Sequence, residues 1–181
     1  GEGGNAGRRA LFVRMPYCNL ACSWCDTTFN SFVKWTEEDL KLFAEKESAR
    51  FAVLTGGEPM LHKHSARVVA LLKSLGFEVA CETNGTQPII PGIDYVTVSP
   101  KRDAEYLIHP DALTKASEFK YVVDSGFDFS ILEKHNTPTQ TARLSLSPEF
   151  GRFKESVAEI VDYTAKHPSW RVSLQTHKWM G

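Results

Sequence analysis

The sequence predicts an α/β fold built on a mostly parallel sheet, and three observations carry that prediction. Short apolar, β-rich runs alternate with amphipathic helical stretches over all 181 residues, the pattern of strands joined by helical crossovers. No internal repeat, low-complexity tract or linker interrupts them, so residues 1–181 read as one domain. The residues with chemistry in them gather just after strands, which in a parallel sheet is the carboxyl edge where ligands bind.

Taken in order, "ALFVR" (10–14) is the first strand and leads into a cysteine-rich loop. Thr36, with Asp39 three residues on, has the form of a capping box opening a helix to about residue 49. "FAVLT" (51–55) is the second strand, followed by "GGEP". "SARVVALLKSLG" (65–76) is a helix with Ser65 as its N-cap and Gly76 as its stop. "FEVACET" (77–83), "YVTVS" (95–99) and "FKYVV" (119–123) are strands; "NGT" follows the first of these and "PK" ends the second. A helix is expected over 128–135, a strand in "ARLSLS" (142–147) with "PEF" after it, and a helix in "RFKESVAEIVDYTAK" (152–166). "WRVSLQT" (170–176) is the last strand, with "HK" behind it.

Composition excludes several function classes. A net charge of −1 gives no reason to expect a nucleic-acid or membrane partner. No apolar run reaches the roughly 18 residues of a membrane span, and no secretory signal is visible. The chain opens "GEGGNAG" and closes "THKWMG", and both ends are expected to be cut.

Cys18, Cys22 and Cys25 fall in "RMPYCNLACSWCDTTF", while the fourth cysteine, Cys81, sits mid-strand as a small hydrophobe. A clustered set of this kind is metal-binding or catalytic rather than a disulfide framework. Thiolates bind zinc and iron–sulfur clusters. A zinc site completed by a distant histidine is one reading. The other is an iron–sulfur cube, which normally takes four cysteines, so that three leave one iron with an exchangeable position.

Cys-x3-Cys-x-aromatic-Cys, with Trp24 as the aromatic, resembles the signature of the radical S-adenosylmethionine (SAM) enzymes. "TGGEP" (55–59), "ETNGT" (82–86) and "SPK" (99–101) resemble that family's strand ends in order. The resemblance implies a compact, partial (β/α) barrel, one 4Fe–4S cluster and SAM. The "CDT" that ends the cysteine loop, the opening "GEG" and the closing "LQTHK" narrow it to the branch of 7-carboxy-7-deazaguanine synthases.

For that branch the implied chemistry is a carbon–nitrogen lyase reaction of queuosine and 7-deazapurine biosynthesis. A 5'-deoxyadenosyl radical takes hydrogen from C6 of 6-carboxy-5,6,7,8-tetrahydropterin, the ring contracts with loss of ammonia, and SAM is regenerated, with Mg2+ assisting. The resemblance assigns Cys18, Cys22 and Cys25 to the cluster and Thr27 to Mg2+. It assigns Trp24, Asp26, Gly57, Glu82, Asn84, Ser99, Pro100, Lys101, Ser147, Pro148, Glu149 and Phe150 to SAM. It assigns Gly1, Glu2, Arg14, Thr55 and His177 to the substrate. It also implies a cytoplasmic homodimer served by a flavodoxin-like reductant.

Each residue has a plainer reading. Arg14 is then a strand-edge charge, Glu2 a frayed terminus, Thr27 a turn cap, Lys101 a solvated lysine and His177 a core histidine. His62, His64, His109, His135 and His167 read as surface or cap residues. Two other functions fit the cysteines: a radical SAM activase that installs a glycyl radical on a protein partner, and a zinc-binding interaction domain.

Overall fold

The computed structural model describes residues 2–27, 32–134 and 142–179, without the side chains of residues 177 and 179. Seven strands form one sheet in the order β1-β2-β3-β4-β5-β6-β7, and every neighbouring pair is parallel. They are β1 (Leu11–Met15), β2 (Phe51–Gly56), β3 (Glu78–Thr83), β4 (Tyr95–Val98), β5 (Glu118–Val123), β6 (Arg143–Pro148) and β7 (Trp170–Val172). The helices are α1 (Glu37–Lys46), α2 (Ser65–Ser74), α3 (Pro110–Lys115), α4 (Ser130–Lys134) and α5 (Phe153–Lys166). Strand order equal to chain order is that of a barrel wall laid down strand by strand and left open, with β1 and β7 as its edges.

Strand residues alternate between two unlike faces. One face is apolar: Leu54, Val79, Cys81, Val98, Tyr121 and Leu146 form a single core with Ala44 of α1, Leu72 of α2, Ala112 of α3, Leu132 of α4 and Ile160 of α5. All five helices therefore cover the same side, as parallel crossovers of one hand require. Most of these side chains are fully buried, each contributing about 1.5–3 kcal/mol where the side chain is large. The opposite face carries Arg14, Thr55, Glu82, Thr97, Glu118, Lys120 and Ser145, which stand beside one another in the register Arg14↔Thr55, Glu82↔Thr97↔Glu118 and Lys120↔Ser145.

The amino half of that polar face is covered by the chain's own start. The Gly3 amide donates to Ser173 Oγ (3.2 Å) beyond β7, and the Gly4 amide to Glu118 Oε2 (2.8 Å) on β5. Arg8 forks onto Glu78 at the start of β3 (2.9 and 2.7 Å) and lies 3.7 Å over the Phe51 ring at the start of β2. Residues 2–8 thus cross the sheet from its last strand to its second. The carboxyl half remains for a ligand.

The capping box at Thr36 is present, with Asp39 Oδ2 accepting from the Thr36 amide at 2.8 Å. Gly76 stops α2 at φ +79. Some boundaries differ. Ser65 is not the N-cap of α2 but its first helical residue, because its hydroxyl donates to the Pro59 carbonyl (2.6 Å) and leaves His64 at the cap. The first helix ends at Lys46, three residues early. The helix expected from 128 starts at Ser130, because Asp128 accepts from the Ser130 amide (2.9 Å) and turns the chain just before it. The last strand stops at Val172, and residues 176–179 turn into a 3-10 helix. The short α3 was not expected; Pro110 opens it and His109 Nδ1 caps it, accepting from the Asp111 amide (3.1 Å).

Candidate active site

The cysteine loop leaves β1 through Tyr17, whose φ of +63 is left-handed, a strained setting for a side-chain-bearing residue. That turn is stapled to the strand end beside it. The Gly57 amide donates to Met15 O (2.9 Å) and the Glu58 amide to Tyr17 O (2.8 Å). A Cβ at Gly57 would stand 1.7 Å from Tyr17 O, so glycine is required there for the close approach of the cysteine loop itself.

A second strand end joins through Glu58, which is buried at 1% exposure. Its carboxylate accepts from Thr83 Oγ1 (2.7 Å), the Asn84 amide (2.7 Å) and the Met60 amide (3.0 Å). Burial raises its pKa, opposed by those same hydrogen bonds. Asn84 in turn donates to Asn19 Oδ1 (2.9 Å) and reaches Cys18 Sγ at 4.0 Å. "GGEP" and "ETNGT" are therefore one hydrogen-bonded unit with the loop that carries the cysteines. Sequence reading missed Glu58; the signal was a carboxylate between two glycines and a proline, where a solvated turn needs none.

The fourth and fifth strand ends hold the loop's other side. Trp24 Nε1 donates to Asp124 Oδ2 (3.0 Å), which also accepts from Arg102 (2.9 Å). Lys101 stands 5.6 Å from the centre of the Trp24 ring and donates to Ser99 O (2.6 Å) and Oγ (2.5 Å). It is half-buried and hydrogen-bonded rather than a free surface lysine, and burial first, then the charge of Lys120, lowers its pKa to about 8. The last strand end closes the ring: Lys178 pairs with Asp26 (2.5 Å) and lies 4.7 Å over Phe150. Ser147 and Pro148 are buried, while Phe150 is exposed. Glu149 caps the turn below it, accepting from the Gly151 amide (2.5 Å).

Deeper on the polar face, Lys120 Nζ is held between Glu2 Oε2 (2.7 Å) and Glu82 Oε2 (2.8 Å). Glu2 also accepts from Gln175 (3.3 Å); it is an ordered member of the site, not a frayed end. Glu82 thus lies with Glu2, while Asn84, two residues on, lies with Cys18. Arg14, on the same face, has no carboxylate partner among the described residues, and its guanidinium lies 5.7 Å from the Phe12 ring centre. Arg14 and Thr27 also line a groove of about 860 Å³ that runs along the β1 edge past Trp35 and Phe43. Gly1 and the His177 side chain lie outside the described residues.

The three thiols fit an iron–sulfur cluster. They sit on irregular backbone at the sheet's carboxyl edge, and Cys18 Sγ accepts an N–H from Leu20 (3.5 Å), the kind of contact that tunes cluster sulfurs. Burial, then a hydrogen bond to Asp103, pushes the Cys22 thiol up to about 12, and burial pushes Cys18 up too. Both ionise when a metal replaces the proton. Among the described residues no group of three or more Cys, His, Asp or Glu side chains is gathered closely enough to hold a single metal ion.

Residues 12–108 match the radical SAM superfamily. Over 98% of its length the chain is 37% identical to a 7-carboxy-7-deazaguanine synthase of Bacteroides thetaiotaomicron, covering 90% of that protein. The chain belongs to the 7-carboxy-7-deazaguanine synthase family of radical SAM enzymes. A synthase of the same name from Caulobacter vibrioides is 35% identical over the whole chain and 93% of its own length. The structure of QueE from Escherichia coli superposes with a TM-score of 0.79 at 28% identity, over 97% of this chain and 88% of that one. Streptococcus suis SuiB, in its SAM-bound structure, shares the fold alone, at a TM-score of 0.59 and 13% identity over 92% of this chain and 50% of that one. Family membership carries a 4Fe–4S cluster and SAM with it. It favours the ring-contracting branch over the glycyl-radical activase and leaves the zinc-domain alternative without support.

Proposed function

We propose that this chain, as a single domain, contracts the ring of 6-carboxy-5,6,7,8-tetrahydropterin to 7-carboxy-7-deazaguanine, releasing ammonia. The observation that carries this reading is the division of the polar face. Three cysteines tied to two neighbouring strand ends stand at its rim, and a charged pocket stands below them with an arginine that has no carboxylate partner among the described residues, in a chain that matches the synthases over its whole length.

When bound, the cluster and SAM supply the 5'-deoxyadenosyl radical that takes hydrogen from C6. Cys18, Cys22 and Cys25 hold the cluster. Trp24, Asp26, Gly57, Asn84, Ser99, Pro100, Lys101 and the segment 147–150 hold SAM. In support, Trp24 is fixed by Asp124, and the half-buried Lys101 stands beside its ring. Glu82 completes this set from the side facing Glu2. Arg14 orients the substrate carboxylate, since a guanidinium fork matches a carboxylate and has none among the described residues. Thr55, its neighbour in register, Glu2, Gly1 and His177 complete the substrate contacts. Thr27 supplies one hydroxyl to a Mg2+ ion whose other ligands are water and substrate. Among the described residues no helix is long and apolar enough to cross a membrane. The working form is read as a cytoplasmic homodimer reduced by a flavodoxin-like protein; pairing would cover open sheet edges.

The test is anaerobic reconstitution with iron and sulfide, then incubation with SAM, Mg2+, reductant and the tetrahydropterin. Formation of the deazapurine without matching consumption of SAM is expected. A cluster-loaded, full-length protein that binds SAM and yields no deazapurine overturns the reading.

A further inference from the structure

Glu118 is a fully buried carboxylate, and no role above uses it. Its partners are unequal in kind. Ser145 Oγ (2.5 Å) on β6 and Tyr95 OH (2.9 Å) on β4 flank it within the sheet, and both are fixed by strand pairing, Ser145 with Lys120 and Tyr95 with Ala80. The third donor, the Gly4 amide at 2.8 Å, belongs to the chain's irregular opening segment. A buried carboxylate requires its donors, so the direction of control is readable. The sheet orients Glu118, and Glu118 orients the segment.

The segment is shaped to accept this. Gly3 has φ +54, and a Cβ there would stand 2.4 Å from Glu118 Oε1. One residue earlier, Glu2 reaches Lys120 (2.7 Å), two positions along β5 from Glu118 on the same face, and Lys120 bridges it to Glu82 (2.8 Å).

We infer that Glu118 is a positioning residue for the substrate pocket: by holding residues 3–5 across the amino half of the polar face, it sets Glu2 against Lys120 and Glu82. What the pocket holds rests on the ring-contraction reading; the pinning of the segment does not.

The experiment uses the full chain with its cluster reconstituted, comparing wild type with Glu118→Gln. Two readouts are taken: amide exchange at Gly4 without substrate, and steady-state kinetics with the tetrahydropterin beside SAM affinity. Losing a charge-assisted hydrogen bond is expected to speed Gly4 exchange about tenfold and raise KM about tenfold. KM should rise by more than kcat falls, and SAM affinity should stay near wild type. Gly3→Ala, which strains the same contact from the segment's side and leaves the sheet's hydroxyls in place, is expected to give the same split; it decides the matter if Glu118→Gln does not fold. Unchanged Gly4 exchange overturns the pinning. Faster exchange with unchanged KM overturns the link to the pocket. Equal losses of SAM affinity and substrate KM reduce Glu118 to general support. If wild type fails to turn over the tetrahydropterin, the ring-contraction reading falls, and Gly4 exchange alone decides the pinning.

Discussion

Glu58 shows how much one side chain can bind together. It has three donors around a buried carboxylate and ties two strand ends to one loop. Glu58→Ala leaves the Thr83 hydroxyl and the Asn84 and Met60 amides without their acceptor, and is expected to destabilise by about 3 kcal/mol, measured as a shift of the urea midpoint at constant slope. A second residue-scale prediction separates metal from cluster. Thr27→Ala is expected to raise the Mg2+ concentration needed for half-maximal turnover while the iron content and cluster absorbance hold; loss of the cluster in that variant would contradict the Mg2+ assignment. At this scale the sequence was informative wherever chemistry is local: three thiols at fixed spacing, a capping box, a stop glycine. It was silent on Glu118 and Lys120. They were hidden inside "FKYVV" and its neighbour, read as one apolar run. A strict alternation count would have put both charges on one face and the aromatics on the other.

At the scale of elements, the strands and longer helices were legible because their periods are strong. The short turns of 3-10 helix and the shortened β7 were not, since a few residues at a sheet edge answer to tertiary contacts more than to propensity. The opening segment belongs with these. It has no strand or helix pattern, yet Arg8 anchors it through Glu78, whose pKa is lowered by the hydrogen bond from that guanidinium. A carboxylate with a depressed folded pKa adds stability above its unfolded value, near pH 4.3, and loses it as pH falls through the folded value. Glu78→Gln is therefore expected to be less stable than wild type at neutral pH, by under about 1 kcal/mol for so exposed a pair. The gap should narrow in denaturation curves as pH falls below the ordinary glutamate value of about 4.3 and through the lowered folded value.

For the whole molecule, the two faces of the sheet divide the labour. The helix-covered face holds the apolar core, and Cys18, Cys22 and Cys25 contribute nothing to it. Iron removal by a chelator is accordingly expected to leave the thermal transition of the sheet in place while protease cleavage in the cysteine loop rises. A large fall in the melting temperature of the iron-free protein would show that the cluster supports the fold. The fold class and the gathering of motifs at one edge followed from the alternation alone. The closing of the rim by Lys178 on Asp26 joins residues from opposite ends of the chain and left no trace in either segment.

Strand order equal to chain order also has a consequence in time. As the chain leaves the ribosome, each new strand finds its partner already made, so the wall can grow as it is synthesised. The opening segment cannot join that growth. Its anchors lie 114, 118 and 173 positions downstream, at Glu118, Lys120 and Gln175. Residues 2–4 must therefore wait for partners made more than a hundred positions later, and the pocket they help shape is finished only once those partners are in place.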